Sequence, residues 1–284
     1  MLSRRTTLKA AAGLAALFSG LAPVQASPMQ AIPVQAGNVL RGRITQGALL
    51  RGSTDPSATV TLDGTPVRVS PEGHFAFGLA WDRKDASLLS IRPKGGESQE
   101  LHLSPIPREY KVQRINGLPG KYVDPPKDVL DRIAQENARV AAARARDTQS
   151  SAFADEFLWP VKGPLTGVYG SQRILNGVPR QPHFGLDIAA GEGTPIMAPV
   201  GAVVALAEPD LYYTGGTVIL DHGHGVSSSY LHMSRIDVKS GDQVRQGDVI
   251  GAIGMTGRAT GPHLCLRLNW FQVRLDPSLV LPAA

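Results

Sequence analysis

Three short stretches hold side chains that could do chemistry together. "HFGLD" sets His183 four residues before Asp187, with Gly185 between them to bend the chain. "HLC" sets His263 two residues before Cys265, the single cysteine of the chain. "SSYLHMS" puts His232 near the end of another strand. Residues two apart on a strand point to one side. His263 and Cys265 would therefore share a face, while Leu264 and Leu266 pack on the other. Imidazole, carboxylate and thiolate are all zinc ligands, and a catalytic zinc usually keeps three of them and an open position. Two further histidines could then handle protons. Five of the seven histidines fall between 183 and 263, with His222 and His224 in the turn "LDHGHG". His74 and His102 are isolated and read as surface or strand-edge residues.

Spacing alone leaves Cys265 open. One cysteine cannot close an intrachain disulfide. A lone thiol in an oxidising compartment is a liability unless it is buried or bound. Buried core residue, metal ligand and reactive nucleophile are the three readings.

The elements that must position these groups are mostly strands. The chain has 31 glycines and 22 prolines in 284 residues, which favours many turns and short strands. Residues 37–108 alternate apolar and polar. Val60 and Leu62 precede the turn "DGT", Val67 and Val69 follow it, and Phe75, Phe77 and Leu79 come after "SPEG". Period two broken by Asp-Gly is a hairpin signature, and about six such strands suggest a small immunoglobulin-like sandwich. Residues 109–152 read as a linker carrying one helix at about 127–146. That helix has Asp128 and Asp131 near its start, Arg139, Arg144 and Arg146 near its end as the helix dipole prefers, and a modest stripe of Leu130, Ile133, Val140 and Ala141. Residues 153–284 return to glycine-bounded strands. The fold class is all-β: two β-domains joined by a linker with one helix, the second domain antiparallel.

The first 26 residues read as an export signal and not as a fold element. Arg4, Arg5 and Lys9 precede an Ala/Gly-rich apolar run, and Val24-Gln25-Ala26 suits cleavage before Ser27. "SRRTTLK" resembles the twin-arginine pattern, with Thr7 where that pattern has phenylalanine; ordinary secretion is the alternative. The expected location is periplasmic or cell-wall associated. Losing these residues and their three basic side chains takes the net charge from +5 to +2. No dense basic patch follows, so nucleic acid is not an expected partner. No later stretch reaches the roughly 18 to 20 apolar residues of a membrane span.

Residues from about 160 to 282 resemble the lysostaphin-type family of zinc peptidoglycan endopeptidases. The resemblance rests on "HFGLDIAAGEGTPIMAP" (183–199), "GGTVILDHGHGVSSSYLHMS" (215–234), "VKSGDQVRQGDVIGAIGMTGRATGPHL" (238–264) and "DP" at 276 and 277. It implies a lysostaphin-type antiparallel β-domain, a Zn2+ cofactor and a peptidoglycan peptide as substrate. By the same resemblance His183 and Asp187 are zinc ligands, His263 is the general base, and His232 helps hold the water or the oxyanion as a transition-state stabiliser. Cys265 stands where the family has its third ligand, a histidine. The expected set is therefore His183, Asp187 and Cys265 as metal ligands, with His263 and His232 catalytic. The alternative is a degenerate member that binds or regulates a partner wall hydrolase. A second rival, a lipoyl-type carrier, is suggested by "VKSGDQVRQGDVIG" but lacks the lysine such carriers need, since Met255 and Thr256 stand at the tip. His222 and His224 match a family turn and read as structural or rim residues. Tyr230 and Trp270 read as core or groove wall.

Overall fold

The computed structural model describes residues 31–33 and 37–283. The export signal read in residues 1–26 lies outside the described residues.

The first part of the chain forms two four-stranded antiparallel sheets. One runs Ala31–Pro33, Val39–Arg41, Leu49–Ser53, His74–Gly78, and the other Thr65–Val67, Thr59–Leu62, Ser87–Arg92, Gln99–Leu103. The Asp-Gly hairpin forms as expected. Both turn residues, Asp63 and Gly64, take positive φ (51° and 79°), as a two-residue hairpin turn demands. Phe75 and Phe77 are fully buried and stack 6.4 Å apart between the sheets. Ala76, which alternates with them, packs with Leu49 into the larger C-terminal core instead. Trp270 touches both cores, so the two β-units share a buried seam.

The stretch 109–126 is more than a connector. Val112–Ile115 pairs in parallel with Gln172–Leu175, making a three-stranded sheet with Val178–Pro179. The helix begins as a 3-10 turn at Lys127–Val129 and is α-helical over Leu130–Arg144. Its buried side differs from the expected stripe: Leu130 is exposed, and Val140 and Ala143 pack against Leu206, Leu211 and Ile219. Arg144 lies at the helix end, as expected, and is buried there.

The C-terminal part is a ten-stranded antiparallel sheet. Its main order is Leu165–Gly167, Leu186–Ala189, His263–Trp270, Val226–Ile236, Gly215–Gly223, Ala202–Leu211, Gln243–Val244. Leu264, Leu266 and Leu268 of one strand enter the core beneath the sheet. Alternation sends His263, Cys265 and Arg267 to the opposite face. The helix covers part of that face, and the rest of it carries the candidate site.

Candidate metal centre

Three strands set the positions. Leu186–Ala189 pairs with His263–Trp270 so that Asp187 lies directly opposite Cys265. On the other side Leu231 lies opposite Cys265. A regular strand would then send His232 to the core side. Instead His232 has φ +67°, a left-handed conformation rare for a non-glycine residue, and its N–H donates to the Thr214 carbonyl at 2.8 Å. The break in alternation brings its ring to 4.8 Å from that of His263. A strained residue held by its surroundings at such a point is a common mark of a functional site.

His183, Asp187 and Cys265 come together. Each offers one ligand atom, and these atoms all lie within 4.8 Å of one another. His183 Nε2 is 3.4 Å from Cys265 Sγ and 3.0 Å from Asp187 Oδ1. Ligands on arms of about 2.0–2.3 Å around a tetrahedral zinc stand roughly 3.3–3.8 Å apart, close to these spacings. Among the described residues, buried Asp187 Oδ1 has no hydrogen-bond partner outside the cluster. Its other oxygen, Oδ2, accepts from Arg173 Nη2 at 2.9 Å. The carboxylate thus has one oxygen fixed by the protein and one turned to the cluster. An N, O, S donor set with a buried oxygen turned to the cluster fits zinc. Among the described residues His183 Nδ1 is buried without a hydrogen-bond partner.

The electrostatics follow from burial and neighbours. Burial alone would raise the Asp187 carboxyl, but the charges of His183, Arg173 and His263 outweigh it and hold the group well below the usual carboxylate range. Burial lowers His183, against the pull of Asp187. Burial, helped by Asp187, pushes the Cys265 thiol up to about 12. As a metal-free thiol it is a poor nucleophile, because the thiolate is the reactive form. Burial and His263 lower His232 to about 3, so it is neutral at rest.

The two histidines beside the cluster are oriented alike. His263 Nδ1 donates to the Gly261 carbonyl and His232 Nδ1 to the Thr256 carbonyl, each at 2.8 Å. A carbonyl partner requires the proton on Nδ1 and leaves Nε2 as the basic atom. His263 Nε2 lies 3.9 Å from Asp187 Oδ1. Thr256, at the tip where a carrier module would need its lysine, holds His232 instead.

His222 and His224 stay out of the cluster. His222 is fully buried, bridging Gly201 O and Ser228 Oγ, and Ser228 continues to Tyr230 OH. His224 packs against Phe153 and meets the Arg68 carbonyl. Both are structural.

A groove of about 310 Å³ opens beside the cluster, lined by Asp187, His232 and His263 on one side and by Ile115 and Leu118 on the other. Leu118 lines it, and the strap that follows, Leu118–Val123, is tied to other segments. Asn176 bonds Leu118, Arg180 donates to Val123 O, and Tyr212 OH donates to Lys121 O at 2.7 Å. The sequence reading missed this strap and Arg173. Arg173 lies ten residues before the first motif residue, and nothing in its local pattern says that it will meet Asp187.

Comparison with known proteins gives the family. The profile of peptidase family M23 matches residues 181–277, a span that includes all five site residues. A crystal structure of a putative peptidase M23 from Pseudomonas aeruginosa is 31% identical, with a TM-score of 0.66, over 85% of this chain and 96% of that one. The chain belongs to peptidase family M23. Within that family it is 31% identical to the cell division protein DipM of Caulobacter vibrioides, over 45% of this chain and 21% of DipM. It is 43% identical to the peptidoglycan DD-endopeptidase ShyA of Vibrio cholerae, over 29% of this chain and 19% of ShyA. The chain thus spans about a fifth of the length of these two curated relatives. Among the described residues no helix is long and apolar enough to cross a membrane.

Proposed function

We propose that this M23 peptidase is a zinc-dependent endopeptidase that cleaves peptide cross-links of bacterial peptidoglycan after export. The observation that carries the reading is the convergence of His183 Nε2, Asp187 Oδ1 and Cys265 Sγ, with two imidazole Nε2 atoms alongside. The substrate class comes from relatives such as ShyA, a peptidoglycan DD-endopeptidase.

His183, Asp187 and Cys265 would hold the zinc, Arg173 keeping Asp187 turned toward it. The metal would supply a Lewis acid that polarises the scissile carbonyl and acidifies a water. His263 Nε2 takes the proton of that water and returns it to the leaving amine. Its Nδ1 bond to Gly261 O stabilises the imidazolium formed in between. His232 Nε2, basic at rest, accepts a hydrogen bond from the water and fixes its lone pair toward the carbonyl. Stabilising an oxyanion would require a proton on His232 Nε2, so of its two expected tasks holding the water suits the resting tautomer.

A second reading has one specific observation behind it: a thiol, Cys265, stands where the family resemblance calls for a histidine ligand. A degenerate member that binds or regulates another wall hydrolase would look like this. Metal analysis of protein purified without added zinc, paired with release of soluble fragments from purified sacculi, separates the two. About one zinc per chain and sacculus breakdown are expected. Metal-free protein that leaves sacculi intact, even after zinc is supplied, would replace the endopeptidase reading with the regulatory one.

A further inference from the structure

The sheet face that carries Cys265 continues to Arg267, two residues along the same strand. Between that face and the helix Leu130–Arg144 lies a second cavity, of about 90 Å³. Three arginines from three elements line it: Arg144 from the last helical turn, Arg267 from the His263–Trp270 strand, and Arg274 from the Val273–Leu275 strand. Arg144 is only 5% exposed. Among the described residues none of the three makes an ion pair with an acid. Arg144 Nε, Arg267 Nε and Arg274 Nη1 are buried without a hydrogen-bond partner, and so is Oγ of Ser229, which lies opposite Arg267 on the neighbouring strand.

No carboxylate side chain is at hand to neutralise them. The single acid lining the cavity, Glu136, is already bound by Arg132 and by the Tyr212 N–H. Residues 1–36 contain no aspartate or glutamate. Guanidinium groups stay charged. Burial and mutual repulsion depress Arg144, and bring Arg274 to about 10. Buried charges are normally paired, because an unpaired one forfeits its hydration without return. Three like charges around one cavity, each with an orphaned N–H, make a ready set of donors for an anion.

We propose that this cavity is an oxyanion subsite, and that during peptide cleavage it takes a free carboxylate of the substrate. The choice of a substrate carboxylate rests on the endopeptidase reading. Its support is proximity. Tyr213 and Thr214 line the cavity, while their carbonyls hold the N–H groups of Arg258 and His232 beside the metal cluster. A peptide lying over Cys265 would extend to Arg267 along one sheet face. Inorganic phosphate offers the same oxyanion chemistry from another source.

The test uses the full chain and reads binding separately from turnover. Calorimetry and thermal melts are run with a cross-linked wall peptide, with the same peptide amidated at its carboxylates, and with inorganic phosphate. KM and kcat are measured alongside, for the parent and for Arg144→Met and Arg274→Met. Amidation should weaken binding at least tenfold and raise KM with kcat little changed. Each methionine variant should do the same to the free-carboxylate peptide. Without ligand both variants should melt at or above the parent temperature, since an unpaired buried charge is gone. If phosphate stabilises the parent but not the variants, and amidation has no effect, the oxyanion site stands with free phosphate as its occupant. Equal binding of both peptides with no response to phosphate would overturn the proposal. So would variants that bind normally but melt well below the parent, since the arginines would then be structural. A parent that binds the carboxylate without hydrolysis would sink the endopeptidase reading and leave the subsite intact.

Discussion

Asp187 and Cys265 face each other in register across two antiparallel strands, on the side of the sheet away from its core. A thiol placed there points at a carboxylate and an imidazole, not into packing. Cys265 should therefore matter through coordination. With zinc bound, one neutral histidine, one carboxylate and one thiolate give a net charge of zero. Two histidines and one carboxylate would give +1. Less positive charge makes a bound water less acidic. Cys265→Ala should lose metal and hydrolysis together. Cys265→His should keep metal and match or exceed the parent rate at neutral pH. Oxidants should inactivate the parent and spare the histidine variant, because thiolates climb the oxidation ladder and imidazoles do not. Full zinc occupancy in the alanine variant, by metal analysis, would return Cys265 to ordinary packing.

Gly167 gives a steric test of the same cluster. It lies opposite Asp187 on the next strand, and a Cβ there would sit 2.2 Å from Asp187 Oδ2. Gly167→Ala must displace the carboxylate or its Arg173 partner. Metal affinity should fall roughly 10- to 100-fold, the usual cost of disturbing a ligand's supporting contacts, while the protein still melts cooperatively. Gly120→Ala, with nothing within 4 Å of the added carbon, serves as the control. Equal zinc affinity in both variants would mean that Asp187 does not need its present pose.

His263 and the metal ligands should separate kinetically. Removing a general base typically costs about 10²- to 10⁴-fold in rate. His263→Ala should lower kcat by that order and retain zinc, since its Nε2 stands 3.9 Å from Asp187 Oδ1 and is not one of the three clustered donors. If the variant is purified without metal, His263 belongs among the ligands and the roles must be redrawn.

Much of this site could be read from short-range pattern. The two-residue spacing of His263 and Cys265 assigned their shared face, and Leu264 and Leu266 went to the core as alternation requires. The Asp-Gly hairpin was equally local. What escaped depends on contacts between distant segments. Arg173 reaches Asp187 from a hairpin whose strand pairs with Val112–Ile115, a stretch that reads in sequence only as linker. The helix stripe was misplaced for a similar reason. Its weak periodicity could not say that Ala143, and not Ala141, would meet Ile219, or that Arg144 would be drawn under the helix. His232 escaped the alternation rule because its left-handed backbone is imposed by Thr214 and Thr256, from two other segments.

His222 supplies a pH test away from the metal cluster. It is fully buried, its Nδ1 bonded to Gly201 O at 3.0 Å and its Nε2 to Ser228 Oγ at 2.8 Å. Burial lowers its pKa from 6.5 to about 4. Between those values the unfolded chain binds a proton that the folded chain refuses. Stability must therefore rise with pH across that window. The contribution is complete above about 6.5 and is lost as the pH falls toward 4. The gap corresponds to about 3 kcal/mol, an order-of-magnitude figure for a fully buried group. His183, His224 and His232 are lowered as well, so the parent's own pH profile sums several groups. The comparison that isolates His222 is with His222→Gln, which keeps one donor and one acceptor but cannot take up the proton. Urea unfolding of both proteins, with metal chelated, should show the parent losing about 3 kcal/mol more than the variant between pH 7.5 and pH 4. Whatever the substitution costs at pH 7.5 cancels in that difference. Parallel profiles would mean that His222 is protonated in the folded protein without penalty, against the cost of charging a fully buried imidazole.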